Sequence, residues 1–500
     1  MRGLFTSITK IRRQVFAEIA RFSYERDMSA FDFSPLYETP YVIIPGEVPQ
    51  YRESVFKERA IIKERVRMGM GLPRRPADEH RPYTDGMRDA ANPDYLIQEP
   101  LVSVIPFACE ACPTNRFEVT KHCRKCLAHP CSIVCPVKAI TIGKTQAVID
   151  QDKCIKCGRC VSACPYQSII QFGRPCAEAC GADAIDSDDL GRAVINQDKC
   201  VACGLCMVSC PFAAISDKSE IFQVITAIRQ GRKVFAEIAP SFTGQFGPLA
   251  TPGKVVSGLK KLGFADVIEV GLGADISSLH EAEYFLKHVP EKQPYLGTSC
   301  CPSWEEFAVS IVPDQAGCIA SSHTPMVATA KRVKDQHPDA FVVFIGPCIA
   351  KKREAMESAV HPFVDYVLTF EELMGMFSAR NVELSDLEDV PVKTMASADG
   401  RSYAAAGGVA HAITQAARNI RSDAKIPVLK ADNLRDCKKM LLLAKAGKAD
   451  GHLLEGMACP GGCIGGPGTL TPLKRADSAV QAFASESAFE HAQDNPNTTD

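Results

Sequence analysis

Sixteen of the 23 cysteines in this 500-residue chain lie between Cys109 and Cys210, and five of the other seven fall in three short motifs far downstream. No other feature restricts the fold as strongly. In a small secreted domain such density makes disulfides. In a large chain with CxxC-type runs it points to metal thiolate chemistry. Thiolate ligation needs reduced sulfur, so a cytoplasmic location is expected. Net charge is −2 with 46% hydrophobic and 23% charged residues, which is ordinary for a globular protein and points to neither nucleic acid nor an anionic membrane as partner. No apolar run reaches the length of a membrane span. Arg12-Arg13 resembles a twin-arginine export signal, but Glu18, Arg21, Glu25 and Arg26 stand where such a signal needs an apolar stretch. Phe5, Ile8, Ile11, Val15, Ile19 and Phe22 instead predict an amphipathic helix.

The chain divides by composition. Residues 1–98 lack cysteine and read as a helical and irregular extension that wraps the other domains, with a basic helix over 52–69 and a Pro-rich linker. Residues 99–217 form a cysteine-rich, ferredoxin-like α+β domain. From 218 to 475, apolar β-branched runs (Val234–Ala239, Val267–Val270, Phe341–Ile345, Tyr366–Phe370) alternate with helical segments 253–262 and 322–334. That alternation predicts an α/β domain with mostly parallel sheets flanking a cleft. Residues 476–500 read as a polar, frayed tail.

Cys154-x2-Cys157-x2-Cys160-x3-Cys164-Pro165 and Cys200-x2-Cys203-x2-Cys206-x3-Cys210-Pro211 both follow the bacterial ferredoxin run, in which three close thiolates hold one 4Fe-4S cubane and the fourth reaches its neighbour. Zinc is the competing reading of CxxC pairs, but it rarely gives this spacing followed by proline twice. The same logic allocates the other cysteines. One cubane falls to Cys123, Cys126, Cys131 and Cys164, and its partner to Cys154, Cys157, Cys160 and Cys135. A third takes Cys200, Cys203, Cys206 and Cys180. The fourth takes Cys109, Cys112, Cys176 and Cys210, unless Cys109 and Cys112 are structural. Four accessory clusters in a row imply one-electron traffic between a surface partner and a buried site.

The downstream motifs are Thr298-Ser299-Cys300-Cys301-Pro302, Gly346-Pro347-Cys348-Ile349-Ala350-Lys351-Lys352 and Glu455-Gly456-Met457-Ala458-Cys459-Pro460-Gly461-Gly462-Cys463. Each follows an apolar strand-like run, so all three can converge at the carboxyl ends of strands. Together they resemble the active-site signature of the [FeFe] hydrogenases, over roughly Phe235 to Leu470 plus the ferredoxin-like region. The resemblance implies an H-cluster: a cubane on Cys301, Cys348, Cys459 and Cys463, with Cys463 bridging to a two-iron subsite carrying carbon monoxide, cyanide and an azadithiolate. It implies Cys300 as proton relay and Lys351 as hydrogen-bond donor to one cyanide, with Pro240 and Ser241 at the other. Met457 would pack near the bridging carbonyl, and Gly407 and Gly408 would line the subsite. The implied reaction interconverts hydrogen with protons and electrons. Ferredoxin would be the carrier, and maturation proteins would build the subsite.

Several positions depart from the better-known members of that family. Gly346 replaces a methionine, which removes bulk beside the subsite; Ser303 replaces a glycine, and Pro467 interrupts a glycine run. Glu281 aligns with the first glutamate of the usual proton route, but the following serine becomes Ala320 and the second glutamate becomes Tyr284. His280, Glu283, Ser321 or water then stand as substitutes. These changes resemble the second, or B, group of monomeric members. A sensory relative and a cytosolic iron–sulfur assembly protein of related fold are the competing readings. Cys318 and Cys437 match no motif and are expected to be buried hydrophobes.

Overall fold

The computed structural model describes residues 3–498 except 29, 31, 77, 393 and 394. Its C-terminal half is built on two parallel sheets. Strands β1 (Val234–Ile238), β2 (Asp266–Glu269), β4 (Phe341–Gly346) and β5 (Tyr366–Thr369) form the first, in the order β2-β1-β4-β5. Strands β3 (Leu296–Gly297), β6 (Val428–Ala431) and β7 (Leu453–Gly456) form the second, in the order β3-β7-β6. The runs β1 and β4 are buried at every residue, as expected of strands covered on both faces by helices. The expected strands in the first sheet match to within a residue at each end, and the expected helices appear at Pro252–Leu262 and Pro325–Gln336. The cysteine-rich segment consists of short antiparallel strand pairs, such as Ile140–Ile142 with Ala147–Ile149, and one-turn helices that carry Cys131, Cys160, Cys176 and Cys206, with the other cysteines in the connecting loops.

Helix α1 (Ser7–Glu25) is capped by Thr6 and Thr9 and buries Val15, Phe16, Ile19 and Phe22. It lies on the helix Phe370–Ala379, where Gly375 permits the approach: a Cβ there would sit 2.6 Å from that of Phe16. Arg12 is an anchor, reaching Glu371 at 2.6 Å and Asp217 at 3.7 Å. Close by, Lys352 is fully buried and bridges Asp217 (3.0 Å) and Glu372 (2.8 Å). Three distant parts of the chain are thus joined by charge at the turn that follows Cys348. Cutting one partner out of such a buried pair typically costs about 3–5 kcal/mol.

Glu220 faces the same cluster and accepts a hydrogen bond from the Val367 amide at 2.8 Å. Burial pushes its pKa up to about 8 against the pull of Lys352. A carboxyl raised in the folded state stabilises below its ordinary value, about 4.3, and that contribution is lost as pH climbs through 8. Glu220→Gln is therefore expected to flatten the fall in Tm across that window. Parallel anaerobic melting curves for the two proteins would show no divergence if the group were already ionised.

The C-terminal segment corrects the sequence reading. Instead of fraying, Leu473–Ser485 forms helix α4, with Ala476, Val480 and Phe483 buried. Asn495 is 1% exposed and donates to Asp275 at 2.8 Å. The polar composition concealed an apolar stripe at helical spacing and one buried amide. Residues 499 and 500 lie outside the described residues.

Candidate active site

The three cysteine motifs leave their strands at the same end of the two sheets. Gly297 and Leu454 are aligned neighbours in the second sheet, Ile238 and Ile345 in the first. The chain therefore turns into Thr298–Cys301, Met457–Cys463 and Pro347–Lys351 around one crevice, the usual place for a site in open α/β sheets. The only tryptophan fixes the first two motifs together. Trp304 donates its indole N–H to the Thr298 carbonyl at 3.1 Å, and its ring lies 2.1 Å from where a Cβ on Gly456 would stand. Any larger residue at Gly456 would expel the ring.

Between the sheets lies a cavity of about 80 Å³ whose wall includes Cys300, Cys301, Cys348, Cys463, Lys351 and Met457. Burial pushes the Cys348 thiol up to about 11 and that of Cys463 to about 12, with neighbouring cysteines adding to both. Cys459 does not line the cavity; after burial, its largest perturbers are Cys348 and Cys301, then Cys203 and Cys463. The four expected cubane sulfurs thus form one neighbourhood. Metal ligation would require them to lose their protons, so loading a cluster here would release acid.

The other wall residues suit a compact anionic group. Pro240 and Ser241 line the cavity, and the buried Ser241 hydroxyl has no hydrogen-bond partner. Lys351 is 7% exposed and donates to Glu354 at 2.6 Å; Glu354 in turn accepts from Thr324 at 2.6 Å. Burial alone would lower the lysine pKa, and Glu354 more than reverses this. An ammonium has three donors, so Glu354 leaves others for a ligand. An orphaned hydroxyl and a buried cation facing thiolates fit the cyanide-bearing group that the motifs imply. Gly407 and Gly408 do not line the cavity; Tyr403 and Ala404 do. The Gly407 amide donates instead to Glu455. Gly346 does not leave open space either. A Cβ there would meet the Phe344 ring at 2.5 Å, and Phe344 itself faces the cavity.

Glu281 stands on helix α2 (Gly271–His288), 1% exposed. Its Oε1 accepts from the Ser299 amide (3.2 Å), the Ser299 hydroxyl (2.6 Å) and the Ser322 hydroxyl (2.9 Å). Its Oε2 is buried without a partner. Burial raises its pKa and the two serines oppose the rise. Ser322 is half-buried, with its hydroxyl against Ser299 and Glu281. The sequence reading offered Ser321 and missed both Ser299 and Ser322. His280 is exposed, Glu283 pairs with Lys287 at the surface, and Tyr284 stacks on His288. Asp275, earlier on the same helix, is held by Ser397 and Asn495, so the C-terminal segment braces the helix that carries Glu281.

In the cysteine-rich segment the expected ligands lie in close groups. After burial, Cys131 is perturbed by Cys164, Cys123 and Cys126, and Cys160 by Cys154 and Cys157. Cys206 is perturbed by Cys203, Cys200 and Cys180, and also by Cys176 of the next group. Cys109, Cys112, Cys176 and Cys210 line one cavity. Cys135 packs into the same small core as Cys131 and Cys160. Among the described residues no three His, Cys, Asp or Glu side chains are placed to hold a single metal ion. Cys318 and Cys437 are buried, and the Cys437 thiol sits 3.5 Å from the Met457 carbonyl, behind the site.

A family model for the iron only hydrogenase large subunit, C-terminal domain, matches residues 232–467, and 4Fe-4S binding domain models match 146–169 and 193–216. The chain is [FeFe]-hydrogenase-like. Iron hydrogenase 1 of Clostridium pasteurianum is 29% identical over 370 residues, 64% of this chain and 64% of that protein. The match therefore spans less than two thirds of that relative's length. Cytosolic iron-sulfur assembly component 3 of Bos taurus is 26% identical over 303 residues, 49% of this chain and 62% of its own. Among solved structures, [FeFe]-hydrogenase HydA1 from Chlamydomonas reinhardtii aligns with a TM-score of 0.45 and 21% identity, covering 53% of this chain and 88% of that one. Within this [FeFe]-hydrogenase-like chain, two departures from the family pattern bear on one loop. The Ser303 hydroxyl donates to the Val201 carbonyl at 2.7 Å, and the Pro467 ring packs where a Cβ on Gly204 would stand, 2.9 Å away. Both touch the segment between Cys200 and Cys206.

Proposed function

We propose that the chain is a cytoplasmic enzyme interconverting hydrogen with protons and electrons, with residues 218–475 as the catalytic unit and 99–217 as its electron relay. One observation carries this reading: Cys300, Cys301, Cys348, Cys463 and Lys351 face a single cavity. Cys301, Cys348, Cys459 and Cys463 would hold a cubane, with Cys463 shared by a two-iron subsite. When bound, that subsite would supply heterolytic cleavage of hydrogen. The residues of the chain do the rest. Lys351 and Ser241 would hold the anionic ligands of that group, and Met457 and Phe344 give the cavity an apolar lining. Cys300 hands protons to Glu281, which exchanges them with solvent through Ser299 and Ser322. Four accessory cubanes on the sixteen upstream cysteines would link the site to ferredoxin, and maturation proteins would supply the subsite.

The similarity to an iron–sulfur assembly component favours a second reading, a cluster-handling protein without hydrogen chemistry. Such a protein has no need for Cys300 and Lys351 at one cavity. Infrared spectroscopy on anaerobically matured protein decides between them, with a hydrogen assay alongside. Bands of iron-bound carbon monoxide and cyanide are expected, and their absence from loaded protein would favour assembly.

The serine exit gives a smaller prediction. Ser322→Ala removes one hydroxyl from Glu281 and is expected to slow turnover roughly tenfold, on the scale of a lost proton-transfer group. Ser321→Ala should change little. Equal effects of the two would remove Ser322 from the route.

A further inference from the structure

We propose that the outer ferredoxin-like module, residues 116–170, is the docking face for a small acidic one-electron carrier protein. This rests on the reading of residues 99–217 as an electron relay. The charge of the chain is sharply divided. Between Arg116 and Ile170 nine lysines and arginines stand against three acids, whereas from Arg174 to Asp217 three stand against seven. The net −2 of the whole chain conceals this division.

The division falls on equivalent positions of the cysteine runs. The two residues between the first cysteines are Arg124-Lys125 in one outer run and Ile155-Lys156 in the other. All four are exposed. In the inner run the same positions are Val201-Ala202, 5% and 0% exposed, with Val201 packed in one core with Trp304. One loop design is therefore turned inward at the catalytic half and outward, with basic residues, at the far module. Glu110, at the matching position between Cys109 and Cys112, is exposed but acidic and paired with Arg52 of the N-terminal extension, so that position presents no free cation.

The outer face also has the apolar component that a docking site needs. Leu127 is 96% exposed, Ile133 77% and Ile155 59%, each within or beside a cysteine run, and Cys157 itself is exposed. Lys121, Arg124, Lys138, Lys156 and Arg159 form no ion pair among the described residues. Unpaired surface cations around an apolar centre steer an acidic partner and speed its encounter. The acidic inner module repels the same partner, which confines docking to the outer end.

The test uses the loaded holoprotein and a reduced, acidic two-cubane ferredoxin. Each electron lost by the carrier is gained by the iron–sulfur chromophore of the chain, followed by stopped-flow absorbance, so the readout does not depend on hydrogen turnover. The second-order rate is expected to fall steeply with ionic strength. The triple variant Arg124→Glu, Lys125→Glu, Lys156→Glu should lower it at least tenfold at low salt. The glutamine variants should fall between, and Lys199→Glu in the inner module should match wild type. Iron and sulfide content, measured on every variant, separates lost docking from lost clusters. An unchanged rate in the fully loaded triple variant would overturn the proposal. So would tight binding to phosphatidylserine vesicles that the carrier does not compete away. If the infrared bands are missing while the salt-dependent electron transfer persists, the docking face stands and the hydrogenase reading fails.

Discussion

Replacing Cys300 by alanine is expected to abolish hydrogen evolution and uptake, by about 10²–10⁴-fold, the range attached to a positioned acid or base. The side chain faces the cavity beside Cys301 and Cys463, and the next residue toward the N-terminus, Ser299, is bonded to Glu281. The neighbouring acid–base side chains are already engaged: Lys351 with Glu354, Glu455 with the Gly407 and Ala410 amides, and the Tyr403 hydroxyl accepts from Ser278 at 3.2 Å. Since Cys300 is not among the four expected cubane ligands, iron content and the infrared bands should be retained. Serine should rescue little, because an alcohol does not ionise where a thiol can. Normal hydrogen evolution from Cys300→Ala would remove the relay assignment.

Glu281→Gln should have the second-largest effect, roughly a hundredfold loss of turnover with unaltered cluster spectra. The amide is isosteric and can still accept from the Ser299 amide and hydroxyl, so the loop should hold its shape. What it loses is the capacity to carry a proton. The pH profile supplies a further signature. Burial raises the carboxyl pKa, so its protonated fraction falls as pH rises through that elevated value. Hydrogen evolution in the wild type should decline along the same limb. The glutamine variant should lack that limb. Unchanged rates would mean that protons enter elsewhere.

Much of this site was legible in the sequence because its signals are local. Cysteine spacing marks clusters directly, and the buried strands β1 and β4 announce themselves as unbroken apolar runs that end where the motifs begin. What stayed hidden depends on contacts across the fold. Ser321 and Ser322 are adjacent in a loop, and only the packing of that loop against α2 decides which hydroxyl meets Glu281, 41 residues away. Gly407-Gly408 resembled a lining pair, yet the turn presents Tyr403 and Ala404 to the cavity. The loss of bulk expected at Gly346 is cancelled by Phe344, two residues earlier on the same strand, because its ring folds back over the glycine. The C-terminal segment looked dispensable by composition, although Asn495 contacts Asp275 across 220 positions.

The loop from Cys200 to Cys206 is held on one side by the Ser303 hydroxyl at the first turn of α3 (Pro302–Ile311) and on the other by the Pro467 ring. Modular swaps will feel this grip. Grafting the catalytic half onto a foreign relay, or expressing it alone, would strip Val201 from Trp304 and bare an oily seam next to Cys301. Successful chimeras will have to cut upstream of the inner run, so that Cys180 and Cys200 through Cys210 travel with the half they are wedged against.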